Sequence, residues 1–308
     1  MTPAIEAQQL RKVFRDFWHR PRVEAVADIS LSVPRGAIFG LLGPNGSGKS
    51  TTLKMLLGLL HPTRGSVQVL GSPPQTQSVQ QRIGYLPEVS TMYRYLTAEE
   101  TLAFYGSLFN LPPHTRALRT KELLALTGLS AAAKRPVGEF SRGMNRRLGL
   151  AQALINNPDV LVLDEPTAGL DPIGCHHVKT LLRKLAEAGK TVLIASHLLA
   201  DIEDICSEIT ILHHGRVIAS GPIDKLLAQD GTTTWTCKNL SADQQQALQA
   251  ACLDITGQTA RIETSRTKLE SYFVKSVLEA GQPAHAASTT DTAALQLPVF
   301  LHQDTGSL

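Results

Sequence analysis

The sequence has 308 residues, 43% of them hydrophobic, so the chain is long and apolar enough to bury a full core. Its formal net charge of +3 is small and its basic residues are scattered, which argues against an extended nucleic-acid-binding face. No uncharged apolar run approaches the about 18 residues that cross a bilayer, and no secretion signal is visible. Four cysteines without metal-ligand spacing favour reduced cytosolic thiols. We therefore expect one large cytosolic domain with a smaller appendage.

Between Ile5 and about Ile218, short apolar segments alternate with segments of helical periodicity. The apolar segments include ISLSV, AIFGLLG, VLVLDEP and TVLIASH. Helices are predicted from Gly48 to Leu60 and through HHVKTLLRKLAEAG. Continuous apolar strands that alternate with helices indicate an α/β fold with a mostly parallel sheet, covered on both faces.

A stretch between Thr97 and Val137 interrupts this alternation and is helical throughout. Its segments AEETLAFYGSLFN and RTKELLALTGL predict two amphipathic helices joined at Pro112 and Pro113. We interpret residues of about 92–158 as a helical subdomain inserted into a first domain of residues 1–225.

The pattern changes again after Gly221. TTTWTCKNL and ARIETSRT are strand-like, whereas SADQQQALQAACL and KLESYFVKSVLEA are helical, so residues 226–280 are predicted to form a small α+β accessory unit. One face of the last helix carries Leu269, Phe273 and Val277, which suits either a subunit contact or packing within the unit. Residues 281–308 lack sustained periodicity and are predicted to be a disordered tail.

The segment IFGLLGPNGSGKST matches the phosphate-loop pattern G-x-x-x-x-G-K-[ST], and it lies between an apolar strand and a helix. Glycines let backbone N–H groups curl around phosphates, Lys49 adds an ammonium group, Ser50 can ligate Mg²⁺, and Thr51 can reach the α-phosphate. A glycine-rich turn without a ligand rarely shows this whole pattern in this context. The predicted nucleotide-binding residues here are Gly43, Pro44, Asn45, Gly46, Ser47, Gly48, Lys49, Ser50 and Thr51.

Two strands end in candidate catalytic residues. In VLVLDEP, the apolar strand is followed by Asp164 and Glu165. Asp164 would orient a metal ion. Strand alternation turns Glu165 the other way, and it would act as the general base on water. His197 ends VLIASH and would reach a γ-phosphate, although a lone histidine there is often structural.

A second anion site is predicted where EFSRGMNRRLGLAQALINNP enters a helix. Ser141 and Gly143 stand at this helix start, where a hydroxyl group and free N–H groups favour an anion. The sequence therefore has two phosphate sites, and the second requires an explanation.

Taken together, these motifs resemble those of the ATP-binding subunits of ABC transporters over roughly Ile5 to Gly221. The matching order is the phosphate loop, YLPE at 85–88, FSRGM at 140–144, LDEPTAGLD at 163–171 and then the histidine. The resemblance implies a P-loop NTPase core with an N-terminal antiparallel β portion, and ATP and Mg²⁺ as cofactors.

The resemblance also implies a head-to-tail dimer that explains the second site. Ser141 and Gly143 of one subunit would contact the γ-phosphate on the other subunit's phosphate loop, and Asp171 would lie at the crossing between the subunits. Ser50, Glu88 and Asp164 would hold Mg²⁺, and Glu165, His197 and Lys49 would serve hydrolysis. Phe14 would stack on adenine, with Phe17 and Trp18 as alternatives.

Two departures from the family pattern stand out. Glu88 occupies the position usually held by glutamine, which adds a negative charge beside the phosphates. FSRGM replaces the common Leu-Ser-Gly-Gly-Gln, and similar forms occur in stand-alone subunits that pair with exporter-like permeases. The expected partners are thus a second copy and a membrane permease, which would hold the chain on the inner face of the membrane.

The sequence disfavours two other functional classes. A soluble ABC ATPase acting on nucleic acid or ribosomes would typically carry two cassettes or long coiled coils, and neither is visible, so no direct nucleic-acid binding is expected. A P-loop kinase or GTPase would need neither FSRGM nor the Asp171 segment. In this architecture the permease, and not the ATP-binding subunit, determines the transported substrate.

Overall fold

The computed structural model describes residues 2–18, 20–228, 240–257 and 296–302. The chain divides into two units, one formed by residues 1–227 with 284–308 and the other by residues 228–283. In the described part of the first unit, nine strands form one sheet in the order β4-β1-β2-β9-β8-β3-β7-β6-β5. These strands are β1 (Ile5–Arg15), β2 (Pro21–Val33), β3 (Ile38–Leu42), β4 (Arg64–Val69), β5 (Ile83–Leu86), β6 (Val160–Asp164), β7 (Thr191–Ser196), β8 (Glu208–His213) and β9 (Arg216–Pro222).

The sheet has mixed strand orientation. The neighbours from β8 through β3, β7 and β6 to β5 are all parallel. At the other side, β1 pairs antiparallel with both β2 and β4, and β8 pairs antiparallel with β9. The predicted α/β fold, with a mostly parallel core and an N-terminal antiparallel portion, is confirmed.

Helices follow most strands or fill the segment between β5 and β6. They are α1 (Lys49–Leu56), α2 (Gln77–Gln80), α3 (Ala98–Leu108), α4 (Pro113–Leu126), α5 (Arg142–Leu154), α6 (Pro172–Glu187), α7 (Leu199–Ile205), α8 (Ile223–Leu227) and α9 (Ala242–Thr256). Short 3-10 turns occupy Ser130–Ala132, Val137–Glu139 and Val299–Leu301. Within the described part of the chain, no helix combines the length and apolar character that spanning a bilayer requires.

The central strands are apolar throughout because both faces of the sheet are covered. In β6, Leu161 and Leu163 pack in a cluster with helices α3 to α6, whereas Val160 and Val162 pack in a second cluster with α1 and the N-terminal strands. Side chains alternate between the faces of a strand, so a strand buried on both sides needs apolar residues at every position.

The helix predicted from Gly48 to Leu60 is shorter than expected and ends at Leu56. Gly58 adopts φ of +72°, a left-handed conformation that favours glycine and stops the helix. A Cβ atom there would come within 3.0 Å of the Pro74 backbone, so the close approach of that segment also requires glycine.

Both helices predicted for the insert are present, and their ends follow local chemistry. Thr97 and Glu100 form a capping box at the start of α3, and Pro113 occupies the first turn of α4. In the second unit, α9 confirms the helix predicted at SADQQQALQAACL, with a capping box from Ser241 and Gln244. TTTWTCKNL up to residue 239, ARIETSRT and KLESYFVKSVLEA lie outside the described residues.

Residues 296–302 depart from the disordered tail predicted for 281–308. Leu301 is completely buried in the cluster that contains α4 to α6. The Phe300 ring lies 4.6 Å from the guanidinium carbon of Arg119 on α4. Hydrophobic contact of the buried Leu301 and the partly buried Phe300 therefore favours an ordered position for this short segment, although it shows no periodicity.

Candidate active site

The phosphate loop, Gly43 to Ser50, connects the buried end of β3 to α1. Gly48 has φ of +102°, and a Cβ atom there would lie 2.6 Å from the Ala25 carbonyl oxygen. A Cβ atom on Gly43 would lie 2.4 Å from the Leu212 carbonyl oxygen. Carbonyl groups of β2 and β8 therefore lie directly against the loop, and only glycine fits at both positions.

Lys49 begins α1 and is almost completely buried. Its Nζ donates to the Gly43 carbonyl oxygen at 2.6 Å and to the Pro44 carbonyl oxygen at 3.3 Å, which holds the ammonium group against the loop. Pro44, Asn45, Gly46 and Ser50 are exposed, and Thr51 is half-buried. The loop thus presents exposed backbone and hydroxyl groups around one buried cation, an arrangement suited to an anion.

Asp164 at the end of β6 is brought next to Ser50 and Glu88. Burial raises the pKa of Asp164, the charge of Glu88 raises it further, and a hydrogen bond from Ser50 lowers it. The Asp164 side chain is 4% exposed, whereas Glu88 is exposed. Two carboxylates and a hydroxyl group form an all-oxygen set next to the phosphate loop, which suits a hard divalent cation.

Glu165 follows directly and has φ of +54°, unusual for a residue other than glycine. Its carboxylate reaches the end of β7, where it accepts hydrogen bonds from Ser196 Oγ at 3.1 Å and from the His197 N–H at 3.0 Å. His197 Nδ1 lies 2.6 Å from Glu165 Oε1. The structure therefore joins Glu165 and His197, two of the three predicted catalytic residues, and adds Ser196, which the sequence analysis missed.

The serine turn, Ser141 to Met144, begins α5. Ser141 Oγ accepts a hydrogen bond from the Met144 N–H at 3.2 Å, which caps the helix. A Cβ atom on Gly143 would lie 3.3 Å from the Leu170 side chain, so this turn adjoins the segment before Asp171. Asp171 in turn caps α6 by accepting from the Gly174 N–H at 2.9 Å. Ser141 and Asp171 are both exposed.

Within one chain, the serine turn and the phosphate loop lie next to different strands of the sheet. Helix α5 packs against β5, as the close approach of Leu86 to Gly149 shows. Strand β5 lies three strands from β3, which carries the phosphate loop. At the spacing of adjacent strands this corresponds to about 14 Å. A single chain therefore does not bring these two predicted anion sites together.

Strand register and exposure distinguish the three aromatic candidates for adenine stacking. Phe14 on β1 pairs with Val23, two residues before Ala25, whose carbonyl group faces Gly48. Phe17 and Trp18 lie in the turn beyond the paired residues and are 90% and 71% exposed. By strand register, Phe14, which is 40% exposed, is therefore the candidate paired closest to the strand segment that contacts the loop.

Arg146 is a second residue that the sequence analysis missed. It lies on α5 yet is only 6% exposed, and its guanidinium group donates to the carbonyl oxygens of Pro87, Glu88, Asp164 and Glu165. Burial lowers its pKa. The sequence did contain a signal for its burial. Residues four apart share a helix face, so Arg146 falls on the same face as Leu150, which is buried.

Comparison with known proteins places this geometry in a family. Residues 26–168 match the ABC transporter family profile. An uncharacterized ABC transporter ATP-binding protein of Synechocystis sp. is 38% identical over 302 residues, which cover 90% of this chain and 85% of the relative. The Nod factor export ATP-binding protein I of Ralstonia nicotianae is 40% identical over 232 residues, which cover 74% of this chain and 70% of the relative.

Solved structures agree with the sequence relatives. A dimeric ATP-binding cassette in a post-hydrolysis state, bound to ADP and Pi, is 25% identical and superposes with a TM-score of 0.66, covering 71% of this chain and 98% of that one. A structure of the ATP-binding subunit of an ABC transporter is 29% identical, with a TM-score of 0.66 over 72% of this chain and 91% of that one. This chain therefore belongs to the ATP-binding subunits of ABC transporters, a family of ATPases.

Proposed function

We propose that two copies of this chain close head to tail around ATP and thereby drive a separate membrane permease, in the direction of export. The observation that carries the proposal is the separation of the phosphate loop from the serine turn within one chain. The phosphate loop follows β3 and the serine turn begins a helix that packs on β5, three strands away, so one triphosphate contacts both exposed anion sites only if a second copy supplies one of them. The dimeric cassette with a TM-score of 0.66 supports the same arrangement.

In this proposal, each phosphate loop holds the phosphates of ATP with its backbone N–H groups and Lys49. Phe14 stacks on adenine. The serine turn of the second copy, with Ser141 Oγ and the Gly143 N–H, covers the γ-phosphate, and Asp171 lies where the copies meet. Each copy contributes to both sites, which makes the assembly symmetric.

The residues around Asp164 fit Mg²⁺. Ser50, Asp164 and Glu88 offer oxygen ligands, and Mg²⁺ typically takes one or two carboxylates together with substrate phosphates and water. Bound there, the ion would neutralise charge on the phosphates. Its charge would also offset the repulsion between Asp164 and Glu88 that raises the Asp164 pKa.

Hydrolysis is assigned to Glu165 and His197. Glu165 would take a proton from the attacking water, and the hydrogen bonds from Ser196 and His197 hold its carboxylate in one orientation. His197 is half-exposed, so its ring can meet the γ-phosphate while Nδ1 stays with Glu165. Loss of the γ-phosphate then removes the charge that holds the two copies together.

Coupling to a permease is assigned to the insert and the segment after Glu88. Val89, Tyr93 and Tyr95 are 74%, 59% and 96% exposed, which leaves an apolar and aromatic surface for a partner. The relative named as a Nod factor export subunit supports export, with this chain on the cytoplasmic face of the membrane. Residues 226–280 are proposed as an accessory unit that strengthens or regulates the dimer.

A Glu165→Gln variant tests this proposal, with Glu187→Gln on an exposed part of α6 as the matched control. The variant should bind ATP, fail to hydrolyse it, and form a dimer by light scattering when ATP is added. The control should hydrolyse ATP and leave only a transient dimer. A Glu165→Gln chain that remains monomeric with bound ATP would contradict the dimer. Reconstitution with the membrane permease would test transport and its direction.

A further inference from the structure

Arg146 is a buried cation that none of the assigned roles explains. It lies on α5, on the turn that follows Ser141, and its side chain faces the ends of two segments of the core. A buried charge is unfavourable unless it is paired or fully hydrogen-bonded. The hydrogen-bond partners of Arg146 therefore indicate its role.

The guanidinium group contacts four backbone carbonyl oxygens from two separate segments. Nη1 donates to Pro87 at 2.5 Å and to Glu88 at 3.1 Å, in the segment after β5. Nη2 donates to Asp164 and, at 2.6 Å, to Glu165, at the end of β6. Because the fork is planar and rigid, it fixes the spacing between the two segments.

Glu165 has a backbone conformation that needs such support. Its φ of +54° is costly for a residue with a side chain and persists only where the surroundings determine it. Its N–H donates to the Ala195 carbonyl oxygen at 2.8 Å, and its own carbonyl oxygen accepts from Arg146. Both backbone polar groups are thus held, and their position sets the direction of the carboxylate.

The surrounding charges favour a cation at this point. Glu88, Asp164 and Glu165 all interact electrostatically with Arg146. A glutamate at position 88 adds one negative charge to this group, and the nearby guanidinium group offsets it.

We propose that Arg146 is a positioning residue for ATP hydrolysis, which fixes the Glu88 and Glu165 segments relative to each other. Since Arg146 and the serine turn share α5, a displacement of this turn by the second copy's nucleotide would move both segments in the same subunit. Arg146 thereby links the state of one site to the geometry of the other. The inference rests on the roles proposed above for Glu88 and Glu165.

The test compares Arg146→Lys and Arg146→Ala with Arg147→Ala. Arg147 is the matched control, because its Nη1 contacts the carbonyl oxygens of Thr127 and Gly128 inside the insert, at 3.2 and 3.3 Å. We expect kcat to fall at least about tenfold in both Arg146 variants, while the Kd for a fluorescent ATP analogue changes less than about threefold. In Arg147→Ala, kcat should stay within about twofold of wild type.

Chemical rescue separates positioning from general stability. Millimolar guanidinium ion should raise the kcat of Arg146→Ala by at least about threefold and leave Arg147→Ala unchanged. If Arg146→Ala does not fold, Arg146→Lys alone decides the question, and a kcat within about twofold of wild type overturns the inference. A weakened Kd with unchanged kcat would also overturn it.

Glu165→Gln measured in parallel distinguishes the two proposals. If Glu165→Gln is inactive while Arg146→Lys is fully active, the role of Arg146 fails and the proposed hydrolysis site stands. If Glu165→Gln hydrolyses ATP normally, the proposed site itself fails.

Discussion

Glu165 Oε1 accepts two hydrogen bonds from a single residue, His197, one from its backbone N–H at 3.0 Å and one from Nδ1 at 2.6 Å. The carboxylate at the end of β6 is therefore held by the end of the neighbouring strand β7. This contact makes the orientation of the candidate general base depend on the histidine.

Removal of that contact should slow hydrolysis without preventing binding. We expect His197→Ala to lower kcat at least about tenfold and to change the KM for ATP less than about threefold, because the Glu165 carboxylate loses its shortest hydrogen bond and the ring that would meet the γ-phosphate, while the phosphate loop is intact. Steady-state ATPase assays measure both constants. His177→Ala is the control, since that ring contacts the Leu126 carbonyl oxygen away from the site, and equal kcat in the two variants would contradict the role of His197.

The aromatic residue that stacks on adenine can be identified by substitution. We expect Phe14→Ala to weaken ATP binding about 3- to 10-fold, because one aromatic contact is lost. Phe17→Ala and Trp18→Ala should leave the Kd unchanged, since both rings lie beyond the strand pairing next to the loop. Calorimetric titration with a non-hydrolysable ATP analogue measures the three values, and weaker binding only in Trp18→Ala would refute the assignment to Phe14.

The packing of residues 296–302 predicts a stability effect from the C-terminal end. Leu301→Ala should lower the free energy of unfolding by about 2–5 kcal/mol, the usual cost of emptying a fully buried leucine site. Val299→Ala on the same 3-10 turn is the control, because Val299 is 87% exposed. Thermal unfolding should place Leu301→Ala clearly below this control, and equal midpoints would show that the segment contributes no stability.

Cys206 should resist modification until the solution is strongly alkaline. Burial raises the pKa of its thiol from 9.0 to about 12, so the reactive thiolate is scarce in the folded protein. The folded state binds this proton more tightly than the unfolded state does. Its contribution to the free energy of unfolding is therefore complete below pH 9 and is lost as the pH rises towards 12.

Iodoacetamide labelling, resolved by peptide mass spectrometry, checks this expectation. At pH 8 the Cys206 peptide should remain unlabelled in the folded protein and become labelled after denaturation. Rapid labelling of the folded protein at pH 8 would show that the thiol is neither buried nor shifted in pKa.

The fold was predictable because its signals are local. The apolar strand before the phosphate loop, the capping box at Thr97 and the continuous burial of β6 all follow from residues adjacent in sequence. The docking of Leu301 was not predictable, because it depends on a cavity formed by helices far away along the chain.

Only part of the candidate site was predictable from the sequence. Motif spacing predicted Lys49, Asp164 and Glu165, whereas the hydrogen bonds that Ser196 and Arg146 make to Glu165 join residues distant in the chain, which no spacing encodes. The left-handed conformation of Glu165 was also invisible in the sequence, and it explains why strand alternation alone did not determine where this carboxylate points.

In the proposed dimer, one ATP is held by the phosphate loop of one copy and the serine turn of the other. Lys49→Ala and Ser141→Arg should each be inactive alone, because each variant damages both pockets of its own dimer. A mixed dimer of the two keeps one pocket with both parts intact. An equal mixture should therefore recover about a quarter of wild-type ATPase activity, since half of the dimers are mixed and each has one intact pocket of two. A mixture no more active than its separate components, or a Ser141→Arg chain that is fully active alone, would contradict the account.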